Sequence, residues 1–472
     1  MPVPAKIVSV RSSPLLGATA RILRRNKPSK PQSRGKVLMS STTCNSGRLY
    51  PTKLAVLFLI AVGSTGDLQA QELTVADFKF DGPLGCAGAT IEQLGTNHFK
   101  ISLGANAPEV WEQPVPMGVW PNLLAFEIVR NARGNTLRID TEHLTGGGGA
   151  TEYAQSCSHD AENWTPIQWS GTTLNFPEFT EDTVFVGPQA PMSFEYIEKR
   201  MREWEKLPYF KTVNLGKSLM GRNLYRFEIT NDQSPFPRKD RWVHYGANQH
   251  AGEGYAKWRM LGMMEWLLSE EGADARDRII SHFILMMAPD GPSQGWMRIN
   301  AQGVDANRSY YPEGNGIDDH QNHFPEMFIP QPHNNQPHEA YIFQKDFEAM
   351  MASDSPVTCI LSHHTWGGVV DPILIEDGGP EIGTSVGTWD DFKVIVDKYD
   401  VDNLVNTPWT RRVGRDKHEL WTEGPYLQFG ITAILVEGSK DLLTVDQNLK
   451  SGGVLMKSLA EFYAGTRGTS GD

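Results

Sequence analysis

Four short apolar runs limit what this chain can fold into. They are Trp242 to Ala247, His282 to Ala288, Val357 to Ser362 and Ile431 to Val436, and each is followed at once by polar residues or glycine. Runs of this length, set between stretches of helical periodicity such as 193–206, read as buried strands. The expected fold is α/β, with a mixed, mostly parallel sheet flanked by helices. In open sheets of this kind ligands bind beyond the carboxyl ends of the strands, so the four junctions are expected to converge on one site.

At 472 residues the chain exceeds what one hydrophobic core organises, which predicts two folded domains plus a targeting segment. Before Pro188 the texture differs from that of the four runs. Short alternating stretches, such as His98-Phe-Lys-Ile-Ser-Leu103, are separated by Gly, Pro and Asn clusters, the pattern of an antiparallel β-sandwich. The expected division is a leader with signal peptide over 1–70, a β-sandwich domain over 71–188 and the α/β domain over 189–467. The glycine run Gly146 to Gly149 reads as a loop of the sandwich, since no Lys or helix start follows it as a phosphate cradle needs.

The leader is read from Leu54 to Val62, nine apolar or small residues behind Lys53. That is too short to cross a hydrocarbon core of roughly 30 Å, so it reads as the core of a signal peptide near residues 53–70, with a mature chain starting near Gln71. The expected location is secreted or periplasmic, with no stable membrane span. Met1 to Met39 is rich in Arg, Lys, Ser and Pro without apolar periodicity, and reads as disordered or as lying before a true start at Met39. Arg24-Arg25 stands too far ahead of the apolar run to be a twin-arginine signal. Cys44 leaves with the leader. Export permits disulfides, and Cys86 and Cys157, both in Gly/Ser-flanked stretches, are expected to pair while Cys359 stays a buried thiol. A net charge of −12 excludes a nucleic-acid partner, which needs a clustered basic surface.

The junctions carry the chemistry. The first holds His250-Ala-Gly-Glu253 ahead of a helix with apolar Trp258, Leu261, Met264 and Leu267; an imidazole and a carboxylate three apart at a loop-to-helix transition can face one metal ion. Such a pair arises often by chance and carries little alone. The second junction gives Pro289-Asp-Gly291, Arg298 and Gly303-Val-Asp-Ala-Asn307-Arg308, the third Ser362-His-His364-Thr-Trp366, and the fourth Ile434-Leu-Val-Glu437.

Taken together and in this order, over about Met192 to Gly465, these elements resemble the zinc carboxypeptidase family, the funnelins. The resemblance implies a zinc metallopeptidase that hydrolyses carboxyl-terminal bonds of peptides or proteins, with one zinc ion per chain held by His250, Glu253 and His364. It implies Glu437 as general base, Arg298 as the cation that polarises the scissile carbonyl, and Asn307 with Arg308 as the pair that grips a terminal carboxylate. Each role suits its residue: three protein ligands leave zinc an open position, and a planar guanidinium grips a carboxylate in a bidentate fork.

For the third ligand both His363 and His364 are candidates, since strand alternation points only one of them into the site; the following Thr365-Trp366 favours His364. Ala288 stands where the family usually has Asn, and Tyr426 is the nearest candidate for its substrate-capping tyrosine. His320, His323, His333 and His338, in a Pro/Asn-rich stretch, read as solvated loop histidines and not as a second metal site. The competing readings are an aspartoacylase-like amidohydrolase of N-acyl amino acids, a peptidoglycan-trimming carboxypeptidase, and a non-catalytic binding protein on the same fold.

Overall fold

The computed structural model of the chain describes residues 70–103, 123–141, 155–170, 172–301, 305–310, 338–365, 373–377, 389–405, 421, 423–438 and 444–464. The expected leader, its apolar run Leu54 to Val62, and the Gly146 to Gly149 loop lie outside these residues. No helix among the described residues is long and apolar enough to cross a membrane.

Up to Pro188 the described strands are β1 (Phe78–Lys79), β2 (Thr90–Gly95), β3 (His98–Ser102), β4 (Phe126–Ile128), β5 (Leu137–Thr141), β6 (Gln155–Ser158), β7 (Thr165–Pro166), β8 (Gln168–Ser170), β9 (Thr173–Phe176) and β10 (Val184–Pro188). They form two five-stranded sheets, ordered β1-β4-β10-β6-β7 and β2-β3-β5-β9-β8. Alternation decides which side chains go inward: Phe99 and Ile101 of β3 are buried while their neighbours are half-exposed. Phe99, Ile139 and Leu174 of one sheet and Phe126, Ile128 and Val186 of the other share a single apolar cluster. One pairing departs from the antiparallel expectation. β3 and β5 run parallel, because the chain crosses to the other sheet through β4 between them.

The expected Cys86–Cys157 disulfide is not formed, and both residues are free thiols. Cys157 is fixed in a ladder opposite Val186, whereas Cys86 packs against Gly295, where an added Cβ would lie 2.8 Å from its own. Burial pushes the Cys86 thiol up to about 12, and likewise the buried Cys359.

The second part is built on a seven-stranded sheet of β11 (Phe210–Lys217), β12 (Asn223–Ile229), β13 (Trp242–Ala247), β14 (Ile279–Ile284), β15 (Cys359–Thr365), β16 (Ile373–Asp377) and β17 (Thr432–Gly438). Its order is β11-β12-β14-β13-β15-β17-β16. The inner strands β14, β13, β15 and β17 run parallel, with antiparallel β12 and β16 beside them. β13 occupies its expected span, while β14 begins at Ile279 instead of His282. The helix Ala273–Arg278 ends directly before it, and β14 is buried throughout, so periodicity marks no boundary there. β15 and β17 run on to Thr365 and Gly438.

β13 has β14 on one side and β15 on the other, so the chain leaves β13 toward β14 and the next connection carries it back to the opposite flank. A crevice therefore opens at the carboxyl ends between β13 and β15. The helix Gly254–Leu268, which follows β13, is buried on almost every side and lies against the helix Val445–Ala464. Two glycines permit that approach. A Cβ on Gly262 would fall 1.9 Å from the Leu449 carbonyl oxygen, and one on Gly452 would fall 1.9 Å from that of Arg259. The helix Phe194–Trp204, capped by Ser193 Oγ accepting from the Tyr196 N–H at 3.0 Å, buries Phe194, Ile197, Met201 and Trp204 along one stripe.

Alanine at Gly262 or Gly452 is expected to destabilise the fold by about 1–3 kcal/mol through overpacking against backbone. Alanine at Gly95, which has nothing within 4 Å of its Cβ position, serves as the control. Thermal unfolding measures the difference, and equal midpoints for the three variants would contradict the close helix contact.

Candidate metal centre

Three buried side chains meet in the crevice. His250 stands in the loop after β13, Glu253 is the residue just before the helix Gly254–Leu268, and His364 is the last but one residue of β15. Each is 1% exposed. His250 Nδ1 lies 2.7 Å from Glu253 Oε1, His364 Nδ1 lies 2.9 Å from Glu253 Oε2, and the two ring nitrogens are 3.0 Å apart. Among the described residues this is the group whose ligand atoms converge closely enough to hold a metal ion.

The far side of each ring is anchored. His250 Nε2 is 3.0 Å from Asp305 Oδ1. The same carboxylate accepts the Asn307 N–H at 2.8 Å and two guanidinium bonds from Arg298, at 2.9 Å and 3.1 Å. His364 Nε2 lies 2.9 Å from Ser362 Oγ, which donates to Gln249 Oε1 at 2.8 Å, and 3.1 Å from Asn307 Nδ2. Anchoring of this kind fixes ring orientation and ligand basicity at metal sites. Asp305, Ser362 and Gln249 were not singled out from the sequence. The available signals were the acid within Gly-Val-Asp-x-Asn-Arg and a serine two residues before His364, which alternation places on the same face.

The donor set fits a cation. Asp305 can only accept, so His250 Nε2 donates to it. His250 Nδ1 then faces a carboxylate oxygen at 2.7 Å, a contact that repels unless a proton or a metal ion lies between. Burial alone would raise the carboxyl of Glu253, but the two imidazoles outweigh it and hold that carboxyl well below the usual range. Burial outweighs the pull of Glu253 and pushes the His364 ring below its ordinary range, toward the uncharged form that ligates metal. Two imidazoles and one carboxylate are a donor set that suits zinc.

The other residues expected in the site fall as follows. Arg298, with a side chain 13% exposed, sits at the rim with Nη1 3.9 Å from Glu253 Oε1. Asn307 is buried and accepts the Trp421 N–H at 3.2 Å. The side chain of Arg308, and Trp366 altogether, lie outside the described residues, as do His320, His323 and His333. Glu437 is the register partner of His364 across β15 and β17. His363 points to the opposite face, wholly buried, and burial holds its ring well below the usual range. His338 Nε2 lies 2.8 Å from the Lys217 carbonyl oxygen, and Tyr426 packs half-buried on the apolar cluster around Trp421.

Residues 197–370 match the family model described as Zinc carboxypeptidase. Cytosolic carboxypeptidase 2 of Danio rerio is 30% identical over 166 residues, covering 34% of this chain and 22% of that protein. Cytosolic carboxypeptidase 2 of Homo sapiens is 28% identical over 172 residues, 34% of this chain and 19% of that protein. The match thus spans about a fifth of these relatives' length. In fold, the chain resembles the metallo-carboxypeptidase of Burkholderia cenocepacia, with a TM-score of 0.62 at 15% identity over 82% of this chain and 99% of the other. It also resembles the metallo-carboxypeptidase of Pseudomonas aeruginosa, with a TM-score of 0.57 at 16% identity over 79% and 95%. Shares that large exceed the α/β part alone, so the likeness extends into the amino-terminal sheets.

Purified protein is expected to carry about one zinc ion per chain, removable by a chelator. His364→Ala should lose it while His363→Ala keeps most of it, and Asp305→Asn should weaken binding by about 10–100-fold. Metal analysis of the variants checks this, and zinc retained by His364→Ala but lost from His363→Ala would move the ligand by one residue.

Proposed function

We propose, from the premise that the chain carries a zinc carboxypeptidase-like domain, that it hydrolyses the carboxyl-terminal bonds of peptides or proteins, with His250, Glu253 and His364 as zinc ligands and Glu437 as general base. The observation that carries this reading is the register of β15 and β17, in which His364 and Glu437 are direct partners. Partners on adjacent strands project from the same face, so a carboxylate stands beside the ligand cluster without belonging to it.

Bound zinc would supply Lewis-acid polarisation of a carbonyl and a water acidified to a pKa of about 7. Glu437 takes the proton of the attacking water and passes it to the departing amine nitrogen. Arg298, its guanidinium fixed by Asp305, stabilises the charge that grows on the carbonyl oxygen. Arg308 and Asn307 grip the terminal carboxylate, which sets the scissile bond one residue from the anchor.

We further read 71–188 as a β-sandwich domain, 189–467 as the catalytic domain and 53–70 as the signal peptide of an exported protein. Protein recovered outside the cell should begin near Gln71, and a chain kept inside the cell with its leader attached would overturn export.

Glu437→Gln keeps shape but cannot accept a proton. It should retain zinc while turnover falls by a factor on the order of 100 to 10,000. An unchanged rate would make Glu437 structural.

A mixed library of free and carboxyl-terminally amidated peptides should release single terminal residues from the free forms, and far more slowly from the amidated ones, which leave the guanidinium unpaired. Mass spectrometry of the products reads this directly. Internal cleavage, or hydrolysis of N-acyl amino acids alone, would replace this reading with an endopeptidase or an acylase.

A further inference from the structure

The helix Gly254–Leu268 carries two cations that are wholly buried, Lys257 and Arg259, each 0% exposed. Among the described residues their hydrogen-bond partners are backbone carbonyls, and those carbonyls belong to the metal-ligand segments. Lys257 Nζ donates to the Ala251 carbonyl at 2.7 Å, with longer contacts to His250 at 3.3 Å and Glu253 at 3.4 Å. Arg259 Nη2 donates to the His364 carbonyl at 2.6 Å and reaches that of Val436, the residue before Glu437, at 3.4 Å.

We propose that Lys257 and Arg259 are positioning residues of the metal centre, Lys257 clamping the His250–Glu253 loop and Arg259 clamping the strand ends that present His364 and Glu437. Side chains on a helix lean toward its amino end, so Lys257, on the first turn, reaches back over the loop that carries two of the three ligands. Its placement is unfavourable on two counts. Burial penalises an ammonium without a paired carboxylate, and the amino end of a helix repels a cation. An apolar chain of the same length would fill the space without either cost. What the cation adds is three directed contacts to one loop, together with a positive charge near the buried Glu253. Arg259 does the same for two strands, whose relative position sets the distance from ligand to base.

The inference rests on the reading that His250, Glu253 and His364 hold zinc, and the experiment keeps the two apart. Zinc affinity is measured by competition with a chromophoric chelator, and coordination by the visible spectrum of the cobalt-loaded protein, for wild type, Lys257→Met and Arg259→Lys. Wild type that binds no metal defeats the zinc reading itself. If wild type binds, Lys257→Met should bind zinc about 10–100-fold more weakly, as loss of an outer support does, with a shifted cobalt spectrum. Arg259→Lys, which keeps the charge but not the planar fork, should lose turnover number while KM stays within about twofold. Zinc affinity within about twofold of wild type and a superimposable cobalt spectrum in folded Lys257→Met would overturn the proposal for the loop. Lys257→Gln, which keeps a donor without charge, substitutes if Lys257→Met does not fold. If neither folds, the cation serves the fold and not the metal centre, which also overturns it.

Discussion

The burial of the Glu253 carboxylate is the constraint on which the rest of this structure depends. A carboxylate out of water needs compensating charge at short range. Here it is 1% exposed and meets two imidazoles at 2.7 Å and 2.9 Å, with the Arg298 guanidinium at 3.9 Å. Because Asp305 commits His250 to donating from its far nitrogen, the near nitrogen and the carboxylate are left facing each other. A cation between them would resolve that repulsion, and the surrounding polar groups hold the two rings in place.

Such a cluster can be assembled only where the backbone comes from several directions. The crevice between β13 and β15 provides this, since the chain leaves β13 toward β14 and returns on its other flank as β15. The helix that follows Glu253 must then be held rigidly, and its seat is tight: Gly262 and Gly452 let it touch the backbone of the helix Val445–Ala464. Movement of this helix would displace Glu253 directly, and through Arg259 would displace His364 as well.

Segments between the amino-terminal strands share in this support. The Gly85 N–H donates to the Pro292 carbonyl at 3.0 Å and the Leu123 N–H to that of Gly295 at 2.6 Å. A Cβ on Gly252, within the ligand loop, would lie 2.5 Å from a Leu123 methyl. The segment leading to Arg298 and the loop between His250 and Glu253 are thus both buttressed from the first part of the chain. The backbone at Gln189 and Ala190, where the two parts join, is left-handed at φ +55° and +49°, and the Ala190 carbonyl accepts from Trp258 Nε1 at 2.7 Å.

The sequence by itself determined the inner strands of the main sheet and the residues at their ends. Local periodicity locates the junctions at which His250, Glu253, His364 and Glu437 stand, and the resemblance to zinc carboxypeptidases, not the periodicity, singles these four out there. The limits of periodicity were local too: the uniform burial of β14 hid where that strand begins. What only the tertiary structure decided was partnership. That β3 pairs with β5 in parallel, that Cys157 lies in a ladder opposite Val186, and that Asp305 serves both His250 and Arg298 all follow from which segments become neighbours. Lys257 and Arg259 read in sequence as ordinary polar positions on a helix. Their meaning depends on carbonyls up to 177 residues away, and no periodicity along the chain carries that information.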